Sequence, residues 1–448
     1  MIDTRLPLFE ATKVTGSMTI LSPPSTRTIS SNEFSLLYGD AQDVILRQHR
    51  RYGGLTASFL QIFGEKPHSL FSAPGRCEIG GNHTDHNGGR ILAAAIDLDV
   101  IAAVSPSKGC VWTVYSKGFE RPFVIDTTAL EPNESEHPTT QLIRGIAAGF
   151  AGRGYTLGGL NMLIDSDVLF ASGLSSSAAL EMLLGTALNS LFNNGGVDVR
   201  TLAAIGREAE ERFWGKPVGL LDQLTIAIGG LLQMSFRNPA NPLIESVPIS
   251  FSEHSHHLVL VNPGGDHSTL TSEYKSIPME MRDVAAYFHK ARLIDLRSED
   301  VLANIGDIRI QCGDRAVLRA LHFFSENERV EQQVDALKAR NISRFLELVR
   351  ESGSSSWRLL QNCYDPGHPA TQPISVALAL TEELSTKANG RIGYRVHGGG
   401  FGGTILAITP QDISTSYIQF MERVFGEFAA RKLHIRPYGC VEVKGVVE

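Results

Sequence analysis

The amino-acid sequence predicts an α+β protein of two layered domains, and three observations lead there. Strand-like and helical stretches alternate irregularly, with neither a repeat of fixed period nor the regular βα rhythm of a barrel. The 448 residues, 42% hydrophobic and 20% charged, suffice for two or three domains with ample core and no disulfide or metal staple. A Pro- and Asn-rich stretch, RNPANPLIESVP, breaks the pattern near residues 237 to 250. The expected division is an N-terminal extension over 1–30, an N-terminal domain over 31–245 and a C-terminal domain over 246–448.

Residues 1 to 30 are rich in Ser, Thr and Pro without sustained periodicity, so they read as an extension lying over the surface. From 34 to 63 a helical pattern appears. A glycine-dense segment, Ser72 to Arg90, comes next, and then three strand-like runs: ILAAAIDLDVIAAV, CVWTVYS and LNMLID. Three further helices are amphipathic. Ser175 to Leu191 carries Leu180, Leu184, Leu188 and Leu191 on one stripe, and Arg200 to Trp214 carries Leu202, Ile205, Ala209 and Phe213. The third, Tyr417 to Leu433, aligns Tyr417, Phe420, Met421, Val424, Phe425 and Phe428. LLQMSF at 231–236 and TILAIT at 404–409 read as strands, and SGSSS at 352–356 as a loop inside the second domain.

Composition excludes disorder, collagen and coiled coil. With 41 Lys+Arg against 48 Asp+Glu the net charge is −7, which leaves no global basic field for nucleic acid or anionic membranes. The five cysteines, Cys77, Cys110, Cys312, Cys363 and Cys440, are scattered and never form CxxC, as expected of reduced thiols in a cytoplasmic protein. The start, MIDTRLPLFEATKVTG, lacks a basic region followed by an apolar one, and no apolar run reaches the ~18 residues of a membrane span. A cytoplasmic monomer without nucleic-acid or membrane partners is expected.

Three glycine-bearing motifs carry the chemistry. Ser172-Gly173-Leu174-Ser175-Ser176-Ser177-Ala178-Ala179 opens directly into an amphipathic helix, whose unpaired N–H groups and dipole attract an anion. With close backbone approach at Gly173 and three hydroxyls, this is a recipe for holding phosphate. It is not the common P-loop, since GxxxxGK[ST] is absent, and a serine-rich N-cap of a core helix has the same composition. The second motif, APGRCEIGGNHTDHNGG at 73–89, sets Arg76, Asn82, His83, Asp85 and His86 among glycines, as suits hydroxyl recognition. Neither its HTDH run nor EHSHH at 253–257 has a known zinc spacing. The third, HGGGFGG at 397–403, has five glycines in seven positions, a destabilising density that calls for close backbone contact with a ligand or another loop.

In this order and at these spacings the motifs resemble those of the GHMP kinases, and within them the galactokinases, whose patterns are PGRxNxIGEHTDYNGG, GLSSSAA and TGGGFGG. Two more blocks are similar to family segments: Ala209 to Gln223 to AExxxxGxxxGxxDQ, and His267 to Tyr274 to HxLxSSEY. The resemblance runs from about residue 35 to the end. It implies the two-domain GHMP kinase fold: an N-terminal α/β domain with a mixed sheet, a C-terminal α+β domain, and the active site in the cleft between them. The reaction it implies is ATP-dependent phosphorylation of a sugar at its anomeric hydroxyl, which demands in-line positioning and charge neutralisation more than covalent work.

The resemblance assigns each residue a task. Asp222 matches the catalytic aspartate that accepts or orients the proton of the C1 hydroxyl, with Arg76 beside it holding the carboxylate ionised. Ser177 and Glu210 match the Mg²⁺ ligands, with Gly206 expected to leave room for a ligand on the same helix face. Ser172, Gly173, Leu174, Ser175, Ser176 and Ser177 match the ATP-phosphate loop. Asn82, His83, Asp85, Gly219 and Tyr274 fall at the sugar-binding positions.

The sequence also departs from the pattern. Asn82 stands where the family has the glutamate that contacts the sugar near C6, and an amide both donates and accepts. His86 replaces the family tyrosine, Glu78 its asparagine, and Leu169 and Ala171 the loop's leading Pro and Gly. A galactokinase is the first expectation. A 1-kinase for a related sugar such as galacturonic acid, or a non-catalytic sugar and ATP sensor, are the alternatives.

Overall fold

A computed structural model describes residues 27–133, 135–168, 173–216, 218–265 and 270–446, apart from the side chain of residue 271. Its dominant element is the strand Arg90–Ser107, eighteen residues long and buried almost throughout, which pairs antiparallel with Ser69–Gly80 on one side and Gly159–Ser166 on the other. Burial on both faces explains why ILAAAIDLDVIAAV reads as a nearly continuous apolar run instead of alternating. Around this strand the large sheet runs, in space, Arg27–Ser30, Val441–Lys444, Ser69–Gly80, Arg90–Ser107, Gly159–Ser166, Val111–Ser116 and Phe123–Asp126. Leu231–Ser235 pairs with the start of the long strand, and Leu243–Ser246 pairs with Leu231–Ser235. The first and second strands of the spatial order are parallel, as are Gly159–Ser166 and Val111–Ser116, so the sheet is mixed.

A second, antiparallel sheet has the order Gly393–His397, Thr404–Pro410, His256–Val261, Ala430–Leu433. Helices Pro138–Ala151 and Ser176–Asn193 pack on the large sheet, Val199–Phe213 packs on those two helices, and the shared apolar cluster continues through Val330 and Val334 to Phe345, Leu406 and Ile408. The layered α+β architecture expected from the sequence is present, and no helix of the described residues is long and apolar enough to cross a membrane.

Four stretches differ from expectation. Arg27–Ser30, the last residues assigned to the extension, form an edge strand because their backbone pairs with Val441–Lys444 from the far end of the chain; residues 1–26 lie outside the described residues. The stretch expected as a boundary is partly a hairpin arm, Leu243–Ser246. The helix expected to reach Leu433 is Gln411–Phe425. It stops at Gly426, whose φ of 104° ends the helical ladder, and the chain then turns to form the strand Ala430–Leu433, leaving Phe428 65% exposed.

The fourth difference bears on the site. SGSSS is not a loop: it ends the helix Ile342–Ser355 and enters a single π-helical turn, Ser356–Leu360. Serines and glycine are placed there by contact. A Cβ on Gly353 would lie 2.8 Å from the Tyr394 carbonyl oxygen, and Ser352, Ser355 and Ser356 are buried donors or acceptors to neighbouring elements. A π turn within a helix is a frequent marker of functional sites.

Candidate active site

The strand Ser69–Gly80 carries the first candidate residue, Arg76. Its register with Arg90–Ser107 slips between Pro74 and Arg76, a bulge of the kind that re-aims a side chain. Arg76 Nε donates to Asp222 Oδ1 at 2.6 Å, and its Nη1 donates to the Gly173 carbonyl. Asp222 is the second residue of the helix Leu221–Ile228, and its other oxygen, Oδ2, accepts from Ser175 Oγ. The three expected partners, Arg76, Asp222 and the serine turn, therefore meet at one point. Burial alone would push the Asp222 carboxyl up; the Arg76 charge and hydrogen bond, with the Ser175 donor, outweigh it and hold the group below the usual range. The carboxylate keeps 28% exposure, so it remains reachable.

Ser175 adopts φ 61°, ψ 55° at the start of the helix Ser176–Asn193, and its hydroxyl turns to Asp222 instead of capping the helix. A left-handed serine is disfavoured by about 1–3 kcal/mol, a strain typical of functional turns. Leu174 points into the core and offers only backbone to the loop, its carbonyl accepting from Arg76 N at 3.1 Å. Ser176 lies partly buried beside it, and Ser172, with Leu169 and Ala171, lies outside the described residues.

At the second residue of that helix, Ser177 Oγ donates to Glu210 Oε1 at 2.7 Å. Glu210 is buried near the end of the helix Val199–Phe213, and Lys216 Nζ also reaches Oε1, at 3.3 Å. Behind it Gln223 Nε2 bonds Glu181 Oε2 at 2.9 Å and lies 3.4 Å from Glu210 Oε2, while Glu181 Oε1 and Gln223 Oε1 are buried without a partner. Burial and the neighbouring Glu210 charge push the Glu181 carboxyl well up. A hydroxyl and a carboxylate converging at 2.7 Å are hard oxygen donors, and they form half a cage at most. That fits Mg²⁺, which keeps water and phosphate ligands. Gly206 does not leave room for a ligand: a Cβ there would sit 2.7 Å from Glu181 Oε2 and from Met182 Cε, so the position is needed for helix packing.

The sugar-motif residues divide into two groups. Asp85 and Gly219 face each other closely, since a Cβ on Gly219 would lie 2.9 Å from Asp85 Oδ2, and His86 Nε2 is 3.6 Å from Asp85 Oδ1. The other three are tied to the third glycine motif. Asn82 Nδ2 donates to Gly398 O at 2.7 Å, His83 Nε2 lies 3.1 Å from Gly399 O, and Tyr274 Oη donates to Gly400 O at 2.8 Å. Three successive carbonyls are thus each held by a side chain, two from adjacent residues of the second motif and one from Tyr274. The glycine density follows from these contacts: a Cβ on Gly399 would lie 2.2 Å from Tyr274 Cε1, and one on Gly400 (φ 81°) 2.1 Å from Asn362 O.

Asn82 is placed differently from the expected sugar contact. It is fully buried; Nδ2 also donates to Glu78 Oε1 at 2.9 Å, and Oδ1 accepts from Asn362 Nδ2 at 2.9 Å and Ser356 Oγ at 3.2 Å. Every donor and acceptor of the amide is committed to the protein. Glu78 in turn accepts from Arg395 Nη2 at 3.0 Å, in a fully enclosed ion pair. The two departures at 78 and 82 are therefore one feature: the carboxylate sits at 78, matched to Arg395, and the amide at 82 bridges it to the glycine loop.

Several supporting residues escaped the sequence reading. His322 and Glu326, one turn apart on the helix Asp314–Lys338, bind the second motif from behind: His322 Nε2 is 2.9 Å from Asn82 O, and Glu326 Oε1 accepts from Gly81 N at 2.9 Å. Ser352 and Ser355 complete the layer by bonding Glu326 and His322. His397 accepts from Glu78 N at Nε2, lies 3.0 Å from Thr404 Oγ1 through Nδ1, and packs under Gly173, so one ring touches all three motifs. The available signal was the presence of charged and polar residues at i, i+4 on an otherwise core-facing stripe.

Comparison with known proteins shows which family the chain resembles. The family model for the galactokinase galactose-binding signature matches residues 57–106, and that for the GHMP kinases N terminal domain matches 141–230. The chain is 30% identical over 359 residues to a galactokinase of Actinobacillus pleuropneumoniae, covering 80% of this chain and 89% of that one. It is 30% identical over 391 residues to a galactokinase of Glaesserella parasuis serovar 5, covering 87% and 97%. Among solved structures, Lactococcus lactis galactokinase complexed with galactose superposes with a TM-score of 0.75 at 24% identity, over 88% of this chain and 100% of that one. The mevalonate kinase of Methanococcus jannaschii shares the fold at a TM-score of 0.58 and 14% identity, over 82% and 98%.

Proposed function

Because the chain belongs to the galactokinase family of the GHMP kinases, and is thus a sugar phosphotransferase, we propose that it transfers the γ-phosphoryl group of ATP to the anomeric hydroxyl of a hexose, galactose in the first instance. The observation that carries this reading is the contact of Asp222 with both Arg76 and Ser175, which sets a carboxylate beside a phosphate-type turn.

In this mechanism Asp222 accepts a hydrogen bond from the sugar's C1 hydroxyl and orients it toward the phosphorus. Arg76 keeps Asp222 ionised, which also makes it a weak base for an alcohol. Proton removal then comes late, after the bond to the leaving ADP has largely opened, and Arg76 meets the charge that develops on the transferring group. Ser177 and Glu210 would hold Mg²⁺, which would supply charge neutralisation to the phosphates. Asp85, beside Gly219, reads hydroxyls of the ring. Asn82, His83 and Tyr274 act on the sugar side by fixing Gly398, Gly399 and Gly400.

A second substrate class has an observation in its favour. Position 82 presents no carboxylate, and Glu78 is neutralised inside by Arg395, so a sugar with an acidic group at C6 meets less repulsion there. The test is an assay of hexoses and uronic acids with ATP and Mg²⁺, with the product identified by phosphorus NMR. Galactose 1-phosphate as the main product supports the first reading. A galactose rate no better than that of glucose overturns it, and a preference for galacturonic acid favours the second. Transfer to no sugar, with ATP still bound, indicates a sensor.

A further inference from the structure

Glu210 is only 2% exposed, and its cationic partner among the described residues is Lys216. The main chain of Lys216 is pinned, its N–H bonding the Glu210 carbonyl at 3.0 Å just after the helix ends, but its side chain is 52% exposed and passes 5.3 Å from the Trp214 ring. It stands in the segment joining Glu210 to Gly219 and Asp222, between the cation donors and the sugar side. The ammonium binds the oxygen that Ser177 also binds, Glu210 Oε1.

We propose that Lys216 is the resident counter-ion of Glu210 in the free enzyme and, when the divalent cation takes Glu210 Oε1 and Ser177 Oγ, passes to the phosphate oxygens of ATP as a phosphate-binding residue. This rests on the reading of Ser177 and Glu210 as the cation donors. A divalent ion on Oε1 repels an ammonium on the same atom, while the phosphates arriving with it offer a new anion within reach of a flexible four-carbon stem. Lysine suits that task as a mobile point charge, where arginine would lock into one bidentate geometry. The field of Lys216 already spans the site. Asp222, pushed up by burial and held down chiefly by Arg76, is drawn further down by the Lys216 charge. The competing view is a half-exposed surface pair without consequence, as many such pairs are.

The test uses the full chain with Lys216→Met, Lys216→Arg, and Glu211→Gln as a control at an exposed neighbour. Mn²⁺ affinity is measured without nucleotide by electron paramagnetic resonance, and ATP and AMP affinities by calorimetry in saturating Mg²⁺, with ATP binding to the native chain also measured in EDTA. Lys216→Met is expected to bind Mn²⁺ several-fold more tightly, ATP about tenfold more weakly, and AMP as the native chain does. Lys216→Arg should keep part of the ATP affinity. Unchanged Mn²⁺ and ATP affinities overturn the proposal, and tighter Mn²⁺ with unchanged ATP overturns the transfer to phosphate. A native chain that binds ATP in neither EDTA nor Mg²⁺ instead overturns the kinase reading itself.

Discussion

Arg76 Nε and Asp222 Oδ1 are 2.6 Å apart although 146 residues separate them in the chain. The contact joins the bulge of a sheet strand to the first turn of a helix, with the serine turn bonded to both residues. It makes the charge state of Asp222 a property of the assembled fold.

Arg76→Met should therefore move the acid limb of the kcat profile. With Arg76 in place the Asp222 carboxyl lies below its ordinary value, so it stays ionised well into acid. Without it, burial is left largely unopposed, and the limb should rise by about one to three pH units along with a fall in kcat. The pH–rate profile of the variant checks this; an unmoved limb contradicts it. The sign for stability is the same: Asp222 stabilises the fold above its unfolded value and loses that contribution as pH falls through its folded one.

Exchange of the motif's carboxylate and amide predicts a rescue. Asn82→Glu alone places a second carboxylate against Glu78 with only Arg395 to balance both, and should destabilise the fold by about 3–5 kcal/mol. Glu78→Asn added to Asn82→Glu should recover a large part of that loss. Denaturant midpoints of the single and double variants give the coupling, and additive effects contradict the paired reading.

Gly399→Ala tests the clamp on the third motif. The new methyl has no space while the Tyr274 ring stays put, so the loop or the ring must move. The expected result is a higher KM for the sugar with ATP affinity little changed. Tyr274→Phe, which removes only the bond to Gly400 O, should cost about 1 kcal/mol in stability.

Acid lability on the sugar side should come from buried imidazoles. Burial lowers His83 to about 3, with the neighbouring His86 adding to it, and burial also holds His322 and His397 below the usual range. An unfolded histidine titrates near about 6.5, so the unfolded chain binds more protons and stability falls as pH drops from there toward about 3. His83→Gln should flatten the stability–pH curve in that window, as followed by thermal melting. A curve parallel to the native one contradicts the assignment.

The sequence made legible what local spacing encodes. Arg76, Asp222, Ser177 and Glu210 each sit in a block whose glycines and periodicity mark a turn or a helix start, and the structure brings them together. It also located the long strand, because burial on both faces leaves a continuous apolar run. The orientation of Asn82 was not legible, since it depends on Asn362, Ser356 and Gly398, more than 270 residues away. The same holds for His322 and Glu326, single polar residues in a core-facing stripe, and for SGSSS, whose small polar residues resemble a loop until the buried partners are seen. Arg27–Ser30 carries too few residues to show a period, and its pairing strand lies at the other end of the chain.

The most direct measurement is the turnover of Asp222→Ala set beside its ATP affinity, in ATP and Mg²⁺ with the best sugar of the native enzyme. The geometry predicts that turnover is lost while ATP binds within a few-fold of the native affinity. A variant that still phosphorylates the sugar at close to the native rate would contradict the placement of this carboxylate at the reacting hydroxyl.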